Sequence, residues 1–186
     1  MQIKALDLRP GSRVEIDGDV YIVTQMEHHA PGKGRAVVRV KMRHVRSGRV
    51  LDRTFTSVEK VELADMEFRK MQFLYRESED FVFMDNDTFE QLHIAGDIVG
   101  EAANYLIEGL NVDVSIFKGQ PIAIDLPPKV DLRVVSCEPG VKGDTVSNVT
   151  KKATLETGAT IQVPLFINEG ELIRVDTRDG SYVERA

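Results

Sequence analysis

The stretch Arg35-Ala-Val-Val-Arg-Val-Lys-Met-Arg-His44 alternates with a period of two. Ala36, Val38, Val40 and Met42 fall on one face. Arg35, Arg39, Lys41 and Arg43 fall on the other, with Val37 among them. Successive side chains of a strand point to opposite faces, so this pattern specifies a half-buried strand. Pro31-Gly32-Lys33-Gly34 turns the chain just before it, and Ser47-Gly48 turns it again after. Upstream, Val14 and Ile16 alternate with polar neighbours, Asp17-Gly18 supplies a hairpin turn, and Val20 and Ile22 resume the alternation. Residues 1–63 therefore read as at least four strands and no helix, a small β-barrel of SH3-like size.

The same style continues downstream. Strands are expected at Phe68–Tyr75 and Phe81–Met84, and Asp87-Thr-Phe-Glu90 reads as a capping box opening one helical turn. Asp97–Glu108 is the best helix in the chain, because Ile98, Val99, Ala102, Ala103 and Leu106 share a face and Gly109 follows as a stop. Strands return at Val112–Phe117 and Ile122–Leu126, around Lys118-Gly119-Gln120. Strands, one short helix, then strands again fit an OB-fold-like barrel over residues 64–127. Pro127-Pro128 marks a stiff boundary. Residues 128–186 read as a second OB-like barrel, with strands at Val130–Val135, Ala159–Val163, Leu172–Val175 and Tyr182–Glu184. A long polar stretch runs from Glu138 to Glu156, and Arg178-Asp179-Gly180 makes a late turn.

Composition narrows the function classes. Hydrophobic residues are 42% and charged residues 29%, ordinary for a folded chain. No apolar run is long enough to span a bilayer, and the first residues carry no signal-peptide pattern. The single cysteine, Cys137, has no internal disulfide partner, so a cytoplasmic setting and a buried inert thiol are expected. Net charge is −6 but unevenly spread: +4 over residues 1–63, −9 over 64–127 and −1 over 128–186. Steering toward phosphate is expected from the basic head alone.

Enzyme and metal signatures fail on inspection. Gly32-Lys33-Gly34 is similar to a phosphate-binding loop, but the position that needs the first Gly is Glu27, and Gly34 stands where Ser or Thr is required. Asp85-Asn86-Asp87 begins like a calcium loop, but Phe89 occupies the third ligand position. His28-His29 lacks partners at ligand spacing and reads as a solvated strand end. The expectation is a non-enzyme with no metal and no cofactor.

The tip at Lys33 is more informative. Gly32 and Gly34 strip side-chain bulk from either side of it, so the turn is slim. Pro31 restricts the loop and lowers the entropy lost on docking. Behind the tip come Arg35, Arg39, Lys41, Arg43, Arg46, Arg49 and Arg53, against one acid, Asp52. Such a stripe suits salt-sensitive binding to an RNA backbone. The plain alternative is a solvated basic face behind an idle hairpin turn.

Three further segments are distinctive together. They are the tip Ala30-Pro31-Gly32-Lys33-Gly34 with Val40-Lys41-Met42-Arg43, the run Asp85-Asn-Asp-Thr-Phe-Glu-Gln91, and a C-terminal signature. The signature runs from Pro139-Gly-Val-Lys-Gly-Asp-Thr145 through Lys152-Ala-Thr-Leu-Glu-Thr-Gly158 to Ile161-Gln-Val-Pro-Leu-Phe-Ile167 and Gly170. On these residues the sequence resembles the bacterial translation elongation factor P family along its full length.

The resemblance implies three β-barrels in an L-shaped, tRNA-like arrangement: a KOW or SH3-like barrel (1–63) and two OB-like barrels (64–127 and 128–186). It implies a cytoplasmic, monomeric factor that binds the 70S ribosome between the P and E sites, contacting P-site peptidyl-tRNA and ribosomal RNA. Such factors act when translation stalls on consecutive prolines. Lys33 would reach the CCA end of the tRNA, and Gly143, Asp144 and Thr145 would approach the small subunit and E-site codon. Family members often extend the tip residue chemically. Lys33 excludes the rhamnosylated-arginine route and leaves β-lysyl, aminopentanol and bare lysine open, so a Lys33-modifying enzyme is a candidate partner.

Two alternatives stand beside this. The elongation-factor-P-like paralogue shares the fold, but its tip usually departs from Pro-Gly-Lys-Gly. A general OB-fold single-stranded RNA-binding protein calls for exposed stacking aromatics, whereas aromatics are 6% of this chain with no Trp.

Overall fold

The computed structural model describes residues 1–140 and 149–186, and the chain is mainly β, built on three sheets. It divides into two compact units. One holds Met1–Glu67 with Ser115–Ala123, and the other holds Phe68–Val114 with Ile124–Ala186.

The first sheet comprises β1 (Gln2–Lys4), β2 (Arg13–Ile16), β3 (Asp19–His29), β4 (Val37–His44), β5 (Val50–Thr56) and β6 (Lys60–Leu63), in the order β1-β6-β2-β3-β4-β5. Asp17 (φ 53°) and Gly18 (φ 86°) form the two-residue turn joining β2 to β3, a left-handed pair that matches the twist of the flanking strands. The period-two reading of β4 holds. Val38, Val40 and Met42 are buried with Val14, Val23 and Phe55, while Arg39, Lys41 and Arg43 are exposed. A 3-10 turn at Ala5–Asp7 buries Ala5, a helical element absent from the sequence reading.

The second sheet has the order β11-β10-β7-β8-β9, from β7 (Met66–Glu77), β8 (Asp80–Asp85), β9 (Gln91–Ala95), β10 (Asn111–Phe117) and β11 (Gln120–Asp125). Phe73 anchors its interior against Phe81 and Phe83, with ring centroids 5.9 and 5.4 Å away.

Two expectations fail here. Asp87–Glu90 is not a helical turn but the connection between β8 and β9. The buried Asp85 carboxylate accepts the N–H groups of Asp87 (2.8 Å) and Thr88 (3.0 Å) through Oδ1, and Phe89 N–H donates to the Asp85 carbonyl at 2.9 Å, but Phe89 then takes φ 61°, so the turn ends before a helix can propagate. The helix expected at Asp97–Glu108 is broken into α1 (Gly96–Val99) and a 3-10 turn (Gly100–Tyr105). Gly100 caps α1 with φ 55° and ψ −135°, a conformation open to glycine that interrupts the α ladder.

The third sheet runs β14-β13-β12-β15-β16, from β12 (Lys129–Cys137), β13 (Thr150–Leu155), β14 (Thr160–Pro164), β15 (Leu172–Asp176) and β16 (Tyr182–Arg185). Its core is aliphatic, with Leu132, Val134, Leu155, Val163, Ile173 and Val175 at most 3% exposed. Each such side chain contributes about 1.5–3 kcal/mol of burial. The sequence reading missed β13 by treating Glu138–Glu156 as polar. Lys151 is itself buried on this strand, and Ala153 and Leu155 complete its inner face. Cys137 is half-buried, its Sγ 3.7 Å from the Ile167 carbonyl.

Candidate functional site

The β3–β4 hairpin carries the site. Its register pairs His29 with Val37, His28 with Val38, Glu27 with Arg39 and Gln25 with Lys41, which places Lys33 at the midpoint of the connecting loop. Ala30 through Arg35 are all exposed. Gly34 has φ 113°, in the region that disfavours a side chain, and a Cβ there would sit 3.7 Å from Pro31 Cγ. Gly32 differs. Its φ is ordinary, and a Cβ would meet nothing within 4 Å. The backbone conformation therefore favours glycine at Gly34, whereas the smallness of Gly32 answers to nothing inside the described chain.

Behind the tip, Arg39, Lys41 and Arg43 stand on the outer face of β4, as the alternation predicts, and Arg35 lies in the exposed loop. Their surroundings differ. Arg39 faces Glu27 on β3 and Thr54 on β5, and Lys41 faces Gln25 and Asp52. Arg43 faces Ile22 and Val50, with no acid in register. Among the described residues none of Lys33, Arg35, Arg39, Lys41 and Arg43 closes an ion pair. The face holds a cavity of about 320 Å³ in which Arg39, Lys41 and Arg53 meet Glu27, Asp52 and Gln25.

Sequence reasoning named the cations of this face and Asp52 but not Glu27 or Gln25. Counting the hairpin register outward from Lys33 would have found both. The arrangement offers ammonium and guanidinium donors to phosphate, tempered by carboxylates at its centre. His28 and His29 end β3 in solvent, and no group of three or more His, Cys, Asp or Glu among the described residues could hold a metal. Among the described residues no helix is long and apolar enough to cross a membrane. Gly143, Asp144 and Thr145 lie outside the described residues.

Residues 4–61 match the family model described as the elongation factor P (EF-P) KOW-like domain, residues 66–124 the EF-P OB domain, and residues 130–185 the elongation factor P C-terminal domain. The chain belongs to the elongation factor P family.

Elongation factor P of Coprothermobacter proteolyticus is 50% identical over 98% of each chain, and that of Moorella thermoacetica is 49% identical over 99% of this chain and 100% of its own. Among solved structures, a eukaryotic-type translation initiation factor 5A from Methanococcus jannaschii aligns with 68% of this chain and 94% of its own, at a TM-score of 0.58 and 26% identity. Membership in this family makes the chain a translation elongation factor and makes the first sheet its KOW-like domain. The Lys33 hairpin belongs to that domain.

Proposed function

We propose that this chain binds the ribosome between the P and E sites and stimulates peptide-bond formation at consecutive prolines by stabilising P-site peptidyl-tRNA. The observation that carries the reading is Lys33 itself, an exposed lysine at the midpoint of a long hairpin, flanked by a Gly32 whose size the fold does not demand. The ribosome performs the chemistry, and the protein contributes position. Proline is a poor substrate because its ring restricts geometry, so holding the tRNA end still lowers the entropic part of the barrier. Arg35, Arg39, Lys41 and Arg43 serve as backbone contacts behind the tip. Gly143, Asp144 and Thr145 are proposed to approach the small subunit and the E-site codon. Domains at 1–63, 64–127 and 128–186, a monomeric state and a cytoplasmic location go with this reading.

The test is peptide yield on a Pro-Pro-Pro message in a reconstituted translation system, with the wild type and Lys33→Ala. Rescue that is lost in the variant, with a proline-free message unaffected, supports the reading. Equal rescue by both proteins removes Lys33 from the mechanism. Intact mass of protein from its native source separates a missing Lys33 modification from a wrong reading if the unmodified protein fails.

A further inference from the structure

Among the described residues the third sheet does not close on itself. Its order leaves β14 and β16 as edges. A cavity of about 780 Å³ is lined by Thr160 and Gln162 of β14, by Asp179 and Tyr182, and by Tyr105 of the 3-10 turn. Beyond Pro164 the seam is bridged, where Arg185 Nη2 donates to the Phe166 carbonyl at 3.2 Å.

The direction of the β14 backbone groups follows from register. Leu155 N donates to Ala159 O at 2.8 Å across the connecting turn. Opposed residues of an antiparallel pair alternate between bonded and non-bonded. Counting from that turn, Ala153–Ile161 and Lys151–Val163 are bonded pairs, whereas Thr154–Thr160, Lys152–Gln162 and Thr150–Pro164 are not. The N–H and C=O groups of Thr160 and Gln162 therefore point away from β13, toward the seam. Pro164 takes the next outward position and has no N–H to offer. The edge supplies two pairing rungs and then stops. That suits a short guest strand and blunts extended pairing with a second copy of the chain.

Charge selects the guest further. Among the described residues Asp179 is the one ionisable carboxylate of the lining, and no Lys or Arg lines it. Ser181 fixes that carboxylate, its N–H (2.9 Å) and Oγ (2.6 Å) both donating to Oδ1.

We propose that the β14 edge is a docking site for a short, extended, cationic peptide segment of a partner protein. The segment pairs its main chain with Thr160 and Gln162 and sets a Lys or Arg against Asp179, with Tyr105 and Tyr182 as apolar walls. This goes beyond the role proposed for Lys33, and its test does not depend on that role.

The test is a titration of the ¹⁵N-labelled full-length protein with Ac-Lys-Thr-Val-Thr-Lys-amide, following the Thr160 and Gln162 amide signals. The control is the same peptide N-methylated at alternate residues, which cannot pair. Gln162→Pro removes one outward N–H and is expected to weaken binding about tenfold, the worth of one main-chain hydrogen bond. Gln162→Ala keeps that N–H and binds as the wild type. Asp179→Asn weakens binding about threefold, the scale of an exposed ion pair. The N-methylated peptide keeps the test decisive should Gln162→Pro lower the melting temperature. The proposal is overturned by unshifted Thr160 and Gln162 signals at millimolar peptide, by equal binding of the N-methylated peptide, or by the same shifts arising from protein concentration alone.

Discussion

Arg43 and Arg174 occupy equivalent places in two different sheets. Each stands on a strand second from the sheet edge, facing outward between two neighbours, Arg43 on β4 between β3 and β5 and Arg174 on β15 between β12 and β16. Their cross-strand partners make the difference. Arg174 lies in register with Asp131 and Glu184 and binds both. Nε and Nη2 reach Asp131 at 2.8 and 3.1 Å, and Nη1 reaches Glu184 at 2.9 Å. Arg43 lies between Ile22 and Val50. A cation with carboxylates on both sides ties three strands together, whereas one with aliphatic neighbours has no cross-strand acceptor for its donors. One arginine is taken up by cross-strand carboxylates and the other has none in register, and the neighbouring strands decide which.

The contrast is broken most strongly through the core beneath the tail ladder. Leu132 is fully buried next to Asp131, and Leu132→Ala is expected to cost about 2–5 kcal/mol by denaturant titration. Lys33→Ala, at an exposed position, should leave stability within about 0.5 kcal/mol, so any loss of activity in it is not a folding defect.

Acid sharpens the comparison next. In the tail the Arg174 hydrogen bonds hold the Asp131 carboxyl below its ordinary value, and the Arg178 hydrogen bonds bring Asp176 from 3.8 down to about 2. A depressed folded-state pKa contributes stability that is present above the unfolded value and lost as pH falls through the folded one. Melting temperature should therefore fall between pH 3.8 and about 2, and Asp176→Asn should flatten that fall. An unchanged slope in the variant would remove the Asp176–Arg178 pair as a cause.

A smaller effect concerns salt. If the head binds RNA backbone, Arg43→Ala should reduce the slope of log affinity against log salt by about 0.7–0.9, one phosphate contact. Arg39→Ala and Lys41→Ala should each reduce it less, because Glu27 and Asp52 already stand opposite them. Arg174→Ala should leave the slope alone and lower the melting temperature by a few degrees. Filter binding to tRNA across a salt series, with melting curves alongside, reads both.

The outcomes show what a sequence carries. The strands of the head were legible because alternation of Val38, Val40 and Met42 against Arg39, Lys41 and Arg43 is a one-dimensional signal with one physical meaning. The Lys33 tip was legible for a similar reason, since Pro and Gly around a lone lysine constrain the chain locally. The facing of Arg39 by Glu27 needed one further step, a count of the register outward from Lys33, because alternation within one strand does not name the residue opposite. Strand β13 was hidden by Lys151, a charged residue whose burial belongs to the third sheet and not to its own segment. The helix over Asp97–Glu108 had the right apolar stripe, but Gly100 broke it, and tertiary packing had no need of a longer one.

Phe89 and Gly34 give the last and smallest test, a comparison of two turns that both need a positive φ. Gly34 meets that need with the residue suited to it, at φ 113°. Phe89 meets it with an aromatic, at φ 61° and 69% exposed, in a turn that Asp85 holds in place. An L-residue in that region costs about 1–2 kcal/mol, and asparagine bears it more easily because its short side chain bonds locally. Little packing is lost when so exposed a ring is removed. Phe89→Asn is therefore expected to stabilise the protein by about 0.5–1 kcal/mol, whereas Gly34→Ala destabilises it by a similar amount. Denaturant midpoints at constant m-value read both changes. A destabilised Phe89→Asn would mean that the ring makes contacts worth more than the strain its backbone carries.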